Sequence, residues 1–202
     1  MAVKGSIGHR QRQAEATKRE VARVARALFA EHGYVATTIS TISAEADIPV
    51  QTIYSAFGTK AKILDKITEV WMSEAQTTSR AAEYLHEPDP ARQLRMLAEL
   101  NRRQMQVGSD VVVIYQEAAA SDPQMAQTLR NVLAAREREI RKLIEVLAPR
   151  LRSDLTIDTA LDLTLALTLP ELFHLLAVER GWGPVRYETW LGDALVSQLL
   201  RD

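Results

Sequence analysis

The chain has 202 residues, 47% of them hydrophobic, enough to fill the core of one large domain or two small ones. The absence of cysteine excludes disulfides, thiolate-bound metals and thiol nucleophiles. The net charge of −1 is unevenly spread: residues 1–60 carry eight Lys and Arg against five acids, a net of +3, so a polyanionic partner is expected for this head and not for the acidic remainder.

Residues 1–16 hold Lys4, Arg10 and Arg12, two glycines and no apolar period. They are expected to form a flexible basic arm that can enter a minor groove or follow phosphates. The first apolar run starts only near Val21, so no secretory leader is expected. From Thr17, a candidate N-cap, the residues Val21, Val24, Ala25, Leu28 and Phe29 recur at helical spacing, and Gly33 supplies a stop. This predicts a helix over about 17–32.

Two short helices should follow. Thr38 is placed to cap a helix to about Ala46 that buries Ile39, Ile42 and Ala46. Asp47 stands at the turn, where Asp tolerates left-handed backbone, and Ile48 packs that turn. Pro49 suits the first turn of a third helix to about Phe57. That helix is too short to stand alone, so Ile53, Tyr54 and Phe57 are expected to dock it. Its opposite face, Val50, Gln51, Thr52, Ser55 and Ala56, is small or uncharged and carries no acid, which suits close approach to base edges. Thr59 then caps a fourth helix with Lys60 and Lys62 in its first turn. Cations there oppose the helix dipole, a placement that makes sense if a phosphate sits at that terminus.

The remainder reads as further helices. The fourth should run past Trp71 towards Leu85, to be broken by His86–Pro90. Segments of about 91–107, 110–120 and 122–147 follow, the first ended by Gly108 and Ser109. Leu155–Arg180 is apolar almost all round and should be kinked or split by Pro170, and Tyr187–Leu200 closes the chain. Leu155–Val178 carries Asp158, Asp162, Glu171 and His174, so it is expected not to cross a membrane, and the protein is expected to be soluble and cytoplasmic.

The pattern Y-x-A-T-T-I-x-x-I-x-x-x-A-x-I-x-x-x-T-I-Y-x-x-F-x-x-K, from Tyr34 to Lys60, resembles the N-terminal domain of the TetR family of bacterial transcriptional regulators. Phe29, Gly33, Thr38, Ile42, Ala46, Ile53, Tyr54, Phe57 and Lys60 carry the agreement, over about 18–64. The resemblance implies an all-α fold: after the arm, a three-helix helix-turn-helix DNA-binding domain over 17–64, then an effector-binding and dimerisation domain over 65–202. It implies a homodimer, a repressor, whose third helices enter the major groove of palindromic double-stranded operator DNA about 34–36 Å apart. A small-molecule effector in the C-terminal domain would swing the fourth helix and release the DNA.

Carried over by position, Gln51 and Thr52 are the base-reading candidates, with Val50 able to touch a thymine methyl and Ser55 on the same face. Thr38, Tyr54 and Lys60 match phosphate-binding positions, as does Ser55, while Ser40 and Thr41 are weaker candidates. Three residues depart from the family pattern. Asp47 stands where Gly is frequent, Thr41 where an acid is common, and Gln51 where small residues are frequent; the last suggests an operator specificity of its own.

The effector site is expected to be largely apolar with few polar anchors. Its candidate lining is Trp71, Met72, Leu97, Leu100, Asn101, Gln104, Tyr115, Glu117, Leu133, Phe173 and His174, which suggests a hydrophobic effector. His174 reads as a core or pocket histidine rather than a metal ligand. The apolar faces over about 155–178 and 187–200 exceed what one body needs, and predict a dimer interface of two helices per protomer. The four histidines lack partners at ligand or triad spacing, and no HExxH, GxSxG or glycine-rich phosphate loop is present. No catalytic residue, metal or cofactor is therefore expected. The alternative is a helical dimeric small-molecule-binding protein without DNA-binding activity.

Overall fold

A 29-residue helix, α1, opens the chain from Lys4 to His32 in the computed structural model, which describes residues 4–201. Its stripe Val21, Val24, Ala25, Leu28 and Phe29 is buried, as the spacing requires. The flexible arm expected over 1–16 is corrected from Lys4 onward, because α1 already includes these residues. Thr17 lies inside the helix instead of capping it, and its hydroxyl donates back to the Gln13 carbonyl at 3.0 Å, the bond a mid-helix threonine makes. Glu15 is held by Lys66 of the fourth helix and by Arg19. Residues 1–3 of the expected arm lie outside the described residues.

Helix α2 spans Ile39–Ala46, and Thr38 caps it by accepting the Thr41 N–H at 3.0 Å. Asp47 ends it in the left-handed region (φ 52°), and its N–H reaches the Ser43 carbonyl. Ser43 then donates to the Ile48 carbonyl at 2.7 Å, which sets the turn into α3, Val50–Phe57. α1 packs on both α2 and α3, and α2 packs on α3. Gly58, at φ 74°, leads into α4, Lys60–Glu74.

The expected continuation of the fourth helix to Leu85 is corrected. Gln76 takes left-handed backbone (φ 57°), which breaks the ladder, and α5 begins afresh at Thr77 and ends at His86. The helices expected over 91–107 and 110–120 meet where the sequence places their break: within the stretch Pro90–Ser121, labelled α6, Gly108 leaves helical geometry and separates two helical halves. α7 spans Pro123–Leu147, with Asp122 accepting the Gln124 N–H at 2.8 Å at its start. Thr156 caps α8, Ile157–Leu167. Pro170 splits the apolar stretch as expected: α9, Pro170–Phe173, continues through a wider helical turn over His174–Glu179. α10 is Pro184–Leu199.

The fold is all-α, with a single isolated bridge, Leu151 to Leu200, among the described residues. Residues up to Trp71, together with 110–129, form one compact unit, and 72–109 with the residues from 130 on form another. In the second unit Leu94, Leu143, Ile144, Leu191 and Leu195 are fully buried. A polar cluster is buried there too: the Tyr187 hydroxyl donates to Asn101 Oδ1 at 2.9 Å, and the Asn101 amide donates to the Thr168 carbonyl at 3.1 Å. Among the described residues no single helix is long and apolar enough to cross a membrane.

Candidate nucleic-acid interface

The eight residues of α3 are held by one side chain. Ile53 is 1% exposed, and Val50, Ala56 and Phe57 are half-buried. Gln51, Thr52 and Ser55 are exposed, so the acid-free face expected from the sequence points outward. Tyr54 corrects one expectation: it is 48% exposed and does not dock the helix. Its ring stands beside the exposed polar residues, one position along from the anchor. The Ser55 hydroxyl donates to the Gln51 carbonyl at 2.8 Å, so its proton is used within the helix and its lone pairs are left to accept.

Lys60 is built into the loop between α1 and α2. Its ammonium donates to the carbonyls of Tyr34 at 2.6 Å and Thr37 at 3.0 Å, and lies 4.2 Å from the centre of the Tyr34 ring. An ammonium has three donors, so these two bonds leave one. Burial lowers the Lys60 pKa, against the opposing pull of Glu117 and Asp122. Burial likewise pushes the Tyr34 phenol up to about 12, with Asp122 adding to the shift. Thr37 is buried and its hydroxyl reaches the Gly33 carbonyl at 2.8 Å. The loop therefore presents Thr38, Ser40 and Thr41 to solvent from a hydrogen-bonded base. At the start of α4, Thr59 Oγ1 accepts the Lys62 N–H at 3.3 Å, and an open cleft of about 370 Å³ lies between Tyr34, Thr59, Lys60, Ser121 and Asp122.

Sequence reasoning missed the acids that grip this head. Arg26 of α1 forms a forked pair with Asp110 of α6, at 2.7 Å from Nε and 2.6 Å from Nη2. Glu117, expected in an effector pocket, lies instead under the loop, where its Oε1 accepts the Val35 N–H at 3.4 Å. These partners are 84 and 82 positions apart, and no local spacing reveals them.

The other effector-site candidates are dispersed. Trp71 and Tyr115 are buried in the first unit, where burial raises the Tyr115 pKa against a hydrogen bond from Thr68. In the second unit Leu97, Leu100, Asn101 and Phe173 are buried, and Gln104 donates to Thr77 Oγ1 at 3.1 Å, with Met72 alongside. Leu133 is 51% exposed. His174 is also exposed, 3.4 Å from Glu179, because the turn after Pro170 carries it off the buried face. The burial expected of His174 is thus corrected. Leu169, Leu175 and Val178 in the same stretch are exposed apolar residues.

Residues 22–67 match the family of bacterial regulatory proteins described as the tetR family. No curated protein matches the sequence at a significant level. Among solved structures, the chain is similar to NalD, the secondary repressor of the MexAB-OprM multidrug efflux pump in Pseudomonas aeruginosa. The identity is 20% and the TM-score 0.75, over 95% of this chain and 99% of NalD. The ketosteroid transcriptional regulator KstR2 of Mycobacterium tuberculosis is similar at 19% identity and a TM-score of 0.65, over 92% of this chain and 95% of its own. SmeT, solved as a complex with triclosan, is similar at 16% identity and a TM-score of 0.71, over 93% of each chain. At these identities the likeness is one of fold.

Proposed function

We propose, from the membership of residues 22–67 in the tetR family of bacterial regulatory proteins, that the chain is a ligand-responsive transcriptional repressor that binds palindromic operator DNA as a homodimer. The observation that carries this function is the exposed, acid-free run Gln51, Thr52 and Ser55 on α3, together with Lys60 held on the loop that leads to the Thr38 cap. α3 enters the major groove, where Gln51 and Thr52 read base edges, Val50 meets a thymine methyl and Ser55 accepts a hydrogen bond. Thr38, Ser40, Tyr54 and the remaining donor of Lys60 hold phosphates and set the register.

Selection of bound genomic fragments tests the function and supplies the operator. With that operator, Gln51→Ala is expected to shift the preferred base at one position by about 1–3 kcal/mol and to leave other positions unchanged. Equal weakening on every sequence would remove Gln51 from the base-reading set. Binding that ignores salt would instead favour a dimeric small-molecule-binding protein without DNA-binding activity.

The dimer forms through residues of about 155–178 and 187–200. The exposed Leu169, Leu175 and Val178 support this, since apolar side chains in one stretch gain by mutual burial. Sedimentation at micromolar concentration is expected to show a dimer, and Leu175→Glu with Val178→Glu a monomer; a monomeric parent protein would sink the claim. A small-molecule effector binds among the second unit's helices, near Leu97, Leu100, Asn101, Gln104 and Phe173. The capture of SmeT with triclosan supports a small molecule as the switch. α4, with Lys60 at its first turn and Met72 in its last, transmits the signal.

A further inference from the structure

The half of α6 from Asp110 onward lies in the same compact unit as the head and makes polar contacts with it through Asp110 and Glu117. Asp110, two residues after the bend at Gly108, takes the guanidinium of Arg26 in a forked pair at 2.6 and 2.7 Å. The pair is partly shielded, with Arg26 25% exposed, so it is better than a solvated surface bridge. Two turns further on, Glu117 accepts the Val35 N–H from beneath. Gly33 makes that approach possible: a Cβ there would lie 2.7 Å from Glu117 Oε1, and the residue sits at φ +85°. The same loop is held from the other side by Lys60, through the carbonyls of Tyr34 and Thr37. One loop is thus clamped by a cation on its carbonyls and an anion on its N–H, with Thr38 at its end.

We propose, resting on the DNA-binding function above, that Asp110 and Glu117 are positioning residues of the DNA-binding face: they hold α1 and the α1–α2 loop on α6 so that Thr38, Lys60 and α3 meet the duplex in one arrangement. Neither acid contacts DNA, since an acid facing phosphate would oppose binding. Their contribution is geometric and is made before the DNA arrives.

The test uses the full-length chain and the operator fragment recovered by genomic selection, over a range of salt. Asp110→Asn and Glu117→Ala are each expected to weaken operator binding about 3- to 10-fold, with the active fraction and the salt slope unchanged. The slope counts phosphates neutralised, and neither acid neutralises one. Arg26→Asp with Asp110→Arg is expected to restore most of the Asp110→Asn loss by reversing the pair. Binding by both single variants within twofold of the parent overturns the proposal, as does a loss explained by a smaller active fraction or not recovered by the swap. A parent chain that selects no DNA overturns the DNA-binding function itself and takes this proposal with it.

Discussion

Replacing Lys60 with alanine is expected to weaken operator binding by at least about tenfold on every sequence and to lower the salt slope by about one. Two separate losses combine. On the proposed function, the ammonium's remaining donor would be withdrawn from a phosphate at the start of α4, where backbone N–H groups would share that anion. The carbonyls of Tyr34 and Thr37 also lose a charged donor at 2.6 and 3.0 Å, which loosens the loop that presents Thr38. Charge-assisted hydrogen bonds of this kind are worth about 1.5–3 kcal/mol each. The two parts separate experimentally. An affinity loss with an unchanged salt slope would make Lys60 a support for the loop alone and strike it from the phosphate set. Tyr54→Ala is the companion, because among the described residues the Tyr54 side chain makes no hydrogen bond and is half exposed: its effect should be uniform across sequences, with little change in melting temperature.

The hold of Lys60 on the loop before α2 shows what could be read from the sequence and what could not. The amphipathic period of α1, the Thr38 cap, the left-handed Asp47 and the start of α3 after Pro49 all follow from local chemistry, and each lies where local chemistry put it. These features depend on residues within four positions of one another. The hold of Lys60 on Tyr34 and Thr37, 26 and 23 positions away, and that of Asp110 on Arg26, 84 away, depend on the packed fold and have no local signature. Breaks made by unusual backbone were misread for the same reason. Gln is an uncommon left-handed residue, so nothing in the sequence marked Gln76 as the break between α4 and α5.

The effector-site candidates mark a further boundary of sequence reasoning. Residue type and helical face pointed to an apolar lining, yet type alone does not separate a pocket from a core. Leu97, Leu100 and Phe173 are buried, whereas Leu133 and His174 are exposed, and Glu117 serves the head. Asn101 is the polar residue of that set most firmly placed, between the Tyr187 hydroxyl and the Thr168 carbonyl. Arg136 donates to the same carbonyl at 2.9 Å, a cationic neighbour that no helical period on α7 predicts.

Ile53→Ala is expected to destabilise the head strongly and to undock α3. α3 has eight residues, about 12 Å of helix, well below the length at which a helix persists in water. Its backbone is therefore helical only while its side chains are docked, and Ile53 is the one fully buried residue it contributes. Truncating a buried Ile to Ala costs about 2–5 kcal/mol, through lost burial and the cavity left behind. For a compact unit of under about 100 residues each kcal/mol lowers the midpoint by roughly 4–8 °C, so the head's thermal transition, followed by circular dichroism, should fall by at least about 8 °C. Operator binding should collapse at temperatures where the parent still binds, because Gln51, Thr52 and Tyr54 lose their common scaffold. Ile53→Val keeps most of the buried volume and should cost only about 0.5–1.5 kcal/mol, with binding retained below the transition. If Ile53→Ala left both melting and operator binding at parental levels, α3 would have to be held by its half-buried flanks at Val50 and Phe57, and the single-anchor account of the reading helix would fail.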